Sequence, residues 1–97
     1  MTAEPNEITH NAARRRFEAA FGDSLAVLDY SPVDATTLDY RHTFVPPAVR
    51  GRGIASRLVR FGLDYALEQR LTVIPTCPFV AAYIRGHPRY RALLENR

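Results

Sequence analysis

The sequence predicts an α/β protein with one mixed sheet: four antiparallel strands, then a long helix, a parallel fifth strand and one or two short C-terminal helices. Three observations carry this reading. From Glu7 to Phe44, segments of alternating apolar and polar residues are punctuated by short polar turns, the period of half-buried strands. From Ile54 to Gln69 the period becomes helical, with Ile54, Leu58, Phe61 and Tyr65 in one row and Ala55, Val59, Gly62 and Ala66 beside them. Leu71-Thr-Val-Ile-Pro75 is a short apolar run without alternation, as expected of a strand covered on both faces.

In chain order, residues 1–7 are polar and are expected to be a flexible N-terminus, leaving 8–97 as a single compact domain. Glu7 to Asn11 suits a short edge strand. Arg16 to Phe21 and Ser24 to Tyr30 alternate around Gly22-Asp23, which is hairpin grammar; Arg14 to Phe17 could instead join Ala12 and Ala13 in a helix. Ser31 to Ala35 reads as a turn. The fourth strand, Thr36 to Phe44, places Leu38, Tyr40, His42 and Phe44 on one face. Pro46-Pro47 ends it, because proline supplies no N–H to a ladder. After the long helix and the fifth strand, Cys77-Pro78 marks a helix start, with proline at its first position. That helix runs to about Arg85 and buries Phe79, Val80, Tyr83, Ile84 and His87. Gly86 ends it, and Pro88 opens a last turn or short helix through Leu94.

Composition narrows the chemistry. Ninety-seven residues, 46% hydrophobic and 24% charged, suit one small soluble domain, and no apolar run approaches a membrane span. The first residues lack the basic start and apolar stretch of a signal peptide, so a cytoplasmic chain is expected. A single cysteine and three scattered histidines form no metal-ligand spacing, so no metal is expected. All thirteen basic residues are arginine, which excludes a Walker-type phosphate loop and any Schiff-base or pyridoxal chemistry. The net charge of +3 suits a small anionic ligand or a nucleic acid; the absence of a base-stacking motif disfavours the latter.

The stretch Val45-Pro-Pro-Ala-Val-Arg-Gly-Arg-Gly-Ile-Ala55 joins the fourth strand to the long helix. Its glycines allow close backbone approach, and the first amides of a helix have no internal partner, so the junction is built for an anion. Arg50, Arg52, Arg57 and Arg60 follow with no acidic residue among them, pointing to a polyphosphate. Arg50-Gly-Arg-Gly-Ile-Ala55 resembles the Arg/Gln-x-x-Gly-x-Gly/Ala signature of the GNAT acetyltransferase superfamily. Val73 to Phe79, followed by Tyr83-Ile-Arg-Gly-His-Pro-Arg-Tyr90, is similar to a subgroup of very short, stand-alone GNAT-like proteins.

The resemblance implies an acetyl-CoA-dependent N-acetyltransferase acting on an amine of a small molecule or protein. It implies a cofactor loop of Arg50, Gly51, Arg52, Gly53, Ile54 and Ala55, in which the amides of Arg52 to Ala55 hold the diphosphate and Arg50 and Arg52 supply the surrounding charge, and it implies that the backbone of Phe44 and Val45 pairs with the pantetheine arm. It brings the thioester near Cys77 and Tyr83. Tyr83 is then the candidate acid, by analogy with a tyrosine on the corresponding helix, with core packing as its alternative. Imidazole is the side chain best suited to proton transfer near neutral pH, so His42 is the candidate base if it faces the cleft, and otherwise a structural histidine. Cys77 is a candidate nucleophile that carries the acetyl group, a wall of the thioester pocket, or a buried hydrophobe. Arg57 and Arg60 read as a solvated helix face and His87 as a helix-end cap.

Two departures from the wider superfamily stand out. There is no room both for early helices over the acceptor and for a closing hairpin, so the acceptor side is expected to be open, shaped by a partner subunit, or suited to something large, and the chain to be a monomer or homodimer. Phe44 also stands where an acidic or polar residue is expected. Two other functions compete: a non-catalytic CoA- or acyl-CoA-binding module, and a basic nucleic-acid-binding adaptor.

Overall fold

The structure, a computed structural model, describes residues 8–94. The expected loose stretch at 1–7 and the last three residues of the expected domain lie outside the described residues. Five strands form one sheet in sequence order: β1 (Ile8–Asn11), β2 (Arg16–Phe21), β3 (Ser24–Asp34), β4 (Thr37–Phe44) and β5 (Thr72–Ile74). The first three pairings are antiparallel, and β4 pairs with β5 in parallel. Helix α1 (Ile54–Glu68) connects β4 to β5, helix α2 (Pro78–Gly86) follows, and a 3-10 helix spans Pro88–Leu94. The mixed sheet, the parallel fifth strand and the C-terminal helices are as the sequence predicts.

Residues Ala12–Arg14 make a single 3-10 turn and no longer helix, so Arg16 and Phe17 belong to β2. The Asn11 carboxamide oxygen accepts from the Arg14 amide at 3.1 Å, and Arg15 takes a left-handed φ of 57° to leave the turn. Strand β3 runs four residues beyond the expected end, through Pro32 to Asp34. The ladder there is irregular, pairing Pro32 with Leu38 and Asp34 with Thr37, and an irregular pairing tolerates a proline without an N–H. The turn itself is confined to Ala35-Thr36, where an Asp34 carboxylate oxygen accepts from the Thr36 amide at 2.9 Å.

The other correction lies in β4. Asp29 pairs with His42 while Tyr30 pairs with Tyr40, so Arg41 is an extra residue, a β-bulge. The bulge reverses the alternation after Tyr40. Leu38 and Tyr40 are buried on the core face, but His42 and Phe44 emerge exposed on the opposite one, and Thr43 takes the inward register opposite buried Leu28. The expected common face of Leu38, Tyr40, His42 and Phe44 therefore ends at Tyr40.

Helix α1 covers the sheet with Ile54, Leu58, Val59, Gly62, Leu63 and Ala66, all buried. Each large apolar side chain among them is worth roughly 1.5–3 kcal/mol of burial. The buried stripe is rotated from the expected row: Leu63 is inside, Phe61 is 37% exposed and Tyr65 is only partly covered. Gly62 sets how closely the helix lies. A Cβ there would sit 2.8 Å from Leu28 Cδ2, and the buried Tyr40 hydroxyl donates to the Gly62 carbonyl at 2.6 Å. Tyr90 ties the C-terminal 3-10 helix to the same helix by donating to an Asp64 carboxylate oxygen at 2.8 Å. Burial and that carboxylate push the Tyr90 phenol up to about 12.

Candidate functional site

The parallel pairing of β4 with β5 lasts three residues, from Thr37 with Thr72 to Asp39 with Ile74. One further backbone bond, Cys77 N–H to Tyr40 carbonyl at 2.9 Å, closes the shared stretch. Beyond it the bulged end of β4 continues to Phe44 while the other chain turns into α2, so the two strands part at their carboxyl ends. Open α/β sheets place ligands at such a parting. The Thr76 hydroxyl donates to an Asp39 carboxylate oxygen at 2.5 Å and Arg41 donates to the other at 3.1 Å, pinning the fork where it opens.

Above this fork a 3-10 turn, Pro47–Val49, leads through Gly51 (φ 84°) and Gly53 (φ 73°) into α1. Both glycines hold left-handed conformations that side-chain-bearing residues adopt only at a cost. Gly53 is the N-cap and has no side chain to give, and the first turn of α1 contains no acidic residue. Helix geometry leaves the amides of Ile54, Ala55 and Ser56 without intrahelical partners, and the first helical bond runs from the Arg57 amide to the Gly53 carbonyl at 3.2 Å. A cavity of about 320 Å³ opens over these amides, lined by Val45, Arg50, Gly51, Gly53, Ile54, Ala55, Ser56 and Phe79. Donors, helix dipole and a guanidinium converge on it, a combination that holds anions.

Of the residues expected to hold a cofactor, Val45, Arg50, Gly51, Gly53, Ile54 and Ala55 line this cavity together. Arg52 is exposed and is not part of its wall; Phe44 is 42% exposed on the outer face of the sheet. Arg50 ties the loop to the strand end: its Nε donates to the Val45 carbonyl at 2.8 Å, and its guanidinium carbon lies 6.0 Å from the Phe44 ring centre. The Val45 carbonyl keeps a second lone pair with which a ligand donor can pair beside the Arg50 bond. Two wall residues, Ser56 and Phe79, were not foreseen. For Phe79 the signal is in α2, where Phe79 and Tyr83 form one i, i+4 row and Val80 and Ile84 another, and only the second row is buried; Ser56 lies in the first turn of α1, one residue past the motif.

The three expected catalytic residues are not brought together. Cys77 caps α2 and is 5% exposed, with its Sγ 3.4 Å from Thr43 Oγ1, a neighbour supplied by the bulge. Tyr83 lines a separate cavity of about 130 Å³ with Ser56, Arg57 and Arg60, its ring stacked on His87 at 3.9 Å. His87 Nδ1 lies 2.8 Å from the Tyr83 carbonyl, which makes it the helix-end cap anticipated. His42 is on the outer face, 3.8 Å from an Asp29 carboxylate oxygen. Among the described residues no group of three or more His, Cys, Asp or Glu side chains could hold a metal ion, and no helix is long and apolar enough to cross a membrane.

Residues 16–93 match the family profile described as GCN5-related N-acetyl-transferase. The chain is 36% identical over 86 residues to Protein NATD1 of Gallus gallus, covering 87% of this chain and 78% of that one. Against Protein NATD1 of Homo sapiens it is also 36% identical over 86 residues, covering 87% and 76%. Among solved structures, a GCN5-like protein of Staphylococcus aureus superposes with a TM-score of 0.72 at 23% identity, covering 93% of this chain and 88% of its own. That likeness speaks for the fold.

Proposed function

The chain belongs to the GCN5-related N-acetyl-transferase family, and on that premise we propose that it binds acetyl-CoA and transfers the acetyl group to an amine. One observation carries the reading: a cavity walled by uncapped helix amides and Arg50 sits over the fork between β4 and β5. The diphosphate lies on the amides of Ile54 to Ser56, with Gly51 and Gly53 admitting it and Arg50 neutralising it. The pantetheine arm, itself built of amides, runs along the unpaired edge of β4 toward the fork. It ends beside Cys77 and Thr43.

Two routes are open to the acyl group. In direct transfer, the neutral amine attacks the thioester carbon, backbone amides of β4 beyond the bulge stabilise the oxyanion, and the CoA thiolate leaves and takes up a proton. In the covalent route, Cys77 Sγ attacks first and expels the CoA thiolate, and the amine then attacks the acetyl-cysteine, forming the amide and restoring the thiol. The contact with Thr43 favours the second route's geometry, since a hydroxyl at that distance can hold the thiol in place. The acceptor side is the outer face of the sheet, where Leu25, His42 and Phe44 are exposed.

Calorimetric titration with acetyl-CoA tests the binding reading, and heat indistinguishable from buffer at millimolar ligand rejects it. Thiol release across a panel of amines tests transfer. Cys77→Ala separates the routes: loss of an acetylated species in intact mass spectra together with turnover supports the covalent one, and retained turnover supports direct attack. A non-catalytic CoA-binding module is favoured instead if CoA binds but no amine releases thiol. The placement of Cys77, Tyr83 and His42 in three different surroundings is the observation behind that second reading.

A further inference from the structure

The small cavity beside the proposed diphosphate site has chemistry of its own. Its wall consists of Ser56, Arg57 and Arg60 from α1 and Tyr83 from α2, with two guanidinium groups and no carboxylate. Ser56 belongs also to the larger cavity, so the two are neighbours along α1. Arg60 lies four residues beyond Ser56 and is exposed, which sets its Cα about 6 Å along the helix axis from the end of the amide cluster.

At about 130 Å³ the space is well below the roughly 300 Å³ and upward of pockets that enclose a drug-sized molecule, so it does not enclose a purine with its ribose. It does accommodate a single phosphate. Arginine's planar fork matches phosphate oxygens, a serine and a tyrosine hydroxyl add donors, and no acidic residue stands in the wall. Tyr83 is also held in place, with its ring stacked on His87 and its carbonyl 2.8 Å from the His87 ring nitrogen.

We infer that this cavity receives the 3′-phosphate of coenzyme A, with Arg60 and Tyr83 as its ligands. The inference rests on the acyl-CoA reading above. It reassigns Tyr83 from proton donor to cofactor-binding residue, and it makes the site selective for CoA over dephospho-CoA. The spacing fits, since one ribose separates the diphosphate on the amides of α1 from a phosphate one helical turn further on.

The test is a pair of calorimetric titrations, with CoA and with dephospho-CoA, on the parent protein, Arg60→Ala and Tyr83→Phe. The parent is expected to prefer CoA by about tenfold or more, the range of one or two charge-assisted hydrogen bonds. Arg60→Ala should weaken CoA by that factor and leave dephospho-CoA unchanged, so that the preference collapses. Tyr83→Phe should lower it in part. Arg60 is exposed, so the variant retains the fold. Equal affinity of the parent for the two ligands overturns the inference and leaves the diphosphate site standing. So does an Arg60→Ala variant that loses both equally. Failure of both ligands to bind the parent at millimolar concentration overturns this inference and the acyl-CoA reading together.

Discussion

Replacing Gly53 by aspartate separates binding from folding at the head of α1. A Cβ at this position meets nothing within 4 Å, so the side chain has room, and the cost to the fold comes from the φ of 73° alone. For alanine that cost is about 1–2 kcal/mol, equivalent to roughly 4–8 °C in Tm per kcal/mol for a domain of this size. Aspartate tolerates the left-handed region better, and a carboxylate at a helix N-terminus recovers about 0.3–1 kcal/mol through the dipole, so Gly53→Asp should melt within a few degrees of the parent. For the ligand the effect is opposite. A carboxylate about 5 Å from a diphosphate costs roughly 1–3 kcal/mol per unit charge at effective dielectric constants of about 80 down to 20. Even about 2 kcal/mol in all is a loss of about thirtyfold in affinity. Calorimetry with acetyl-CoA gives the affinity and differential scanning fluorimetry the stability, with Gly53→Ala as the control that carries strain without charge. An aspartate variant that binds within threefold of the parent refutes the placement of the diphosphate.

Two further expectations concern the scaffold. Gly62→Ala puts a methyl group 2.8 Å from Leu28 Cδ2 and 3.2 Å from the Phe17 ring, in a layer where both neighbours are fully buried. Overpacking of about 1–3 kcal/mol should exceed the gain in helix propensity of about 1 kcal/mol, lowering the urea midpoint; a rise in the midpoint contradicts it. His10 stacks on Phe17 and meets Tyr65 edge-on, both at 4.5 Å, with Nε2 2.6 Å from the Tyr30 hydroxyl, and burial holds its imidazole below the ordinary value of 6.5. The unfolded chain therefore takes up the proton first. The contribution of His10 is complete above that value and is lost as pH falls from it through the folded-state pKa. The stability difference between parent and His10→Gln should shrink on that descent, and urea midpoints that run parallel across it contradict the assignment.

Much of the architecture was legible because it rests on local chemistry. The periods of two and 3.6, the Gly22-Asp23 turn, the proline at the start of α2 and the glycines ahead of α1 each act within a few residues, and each was readable there. What escaped depends on partners distant in sequence. The bulge at Arg41 has no local signature, since it is a difference in residue count between β4 and β3; without it, strict alternation put His42 and Phe44 inside. The rotation of α1 that buries Leu63 and half-exposes Phe61 is set by the fit of Gly62 against Leu28 and Phe17. In α2 the rows Phe79–Tyr83 and Val80–Ile84 are equally apolar, and only the position of the helix over the fork decides which row is core. The loop proposed to hold the diphosphate was readable because its donors are backbone amides, whose positions follow from a strand end, two glycines and a helix start. The surroundings of Cys77, Tyr83 and His42 were not, because side chains reach their places through packing.

The bulge admits a direct trial by deletion. Removing Arg41 leaves Leu38 and Tyr40 inward, His42 and Phe44 outward and Thr43 inward, because the register on either side of the extra residue already alternates. No core side chain changes face. The exposed Arg41–Asp39 pair is lost, worth about 0.2–1 kcal/mol, and one unpaired residue is removed from the ladder, so stability should change by no more than about 1 kcal/mol. The geometry of the fork does change. An unbulged β4 loses the added bend and local twist at the point where it parts from β5, and the edge proposed to receive the pantetheine arm moves toward the neighbouring strand. Affinity for acetyl-CoA should then fall by about tenfold or more at nearly constant stability, whereas Arg41→Ala, which keeps the residue count and removes only the guanidinium, should bind within threefold of the parent. A deletion variant that folds and binds like the parent shows that Pro75, Thr76 and the start of α2 hold the fork open without help from β4; one that binds weakly only in proportion to a large loss of stability shows that the bulge serves the fold and not the ligand.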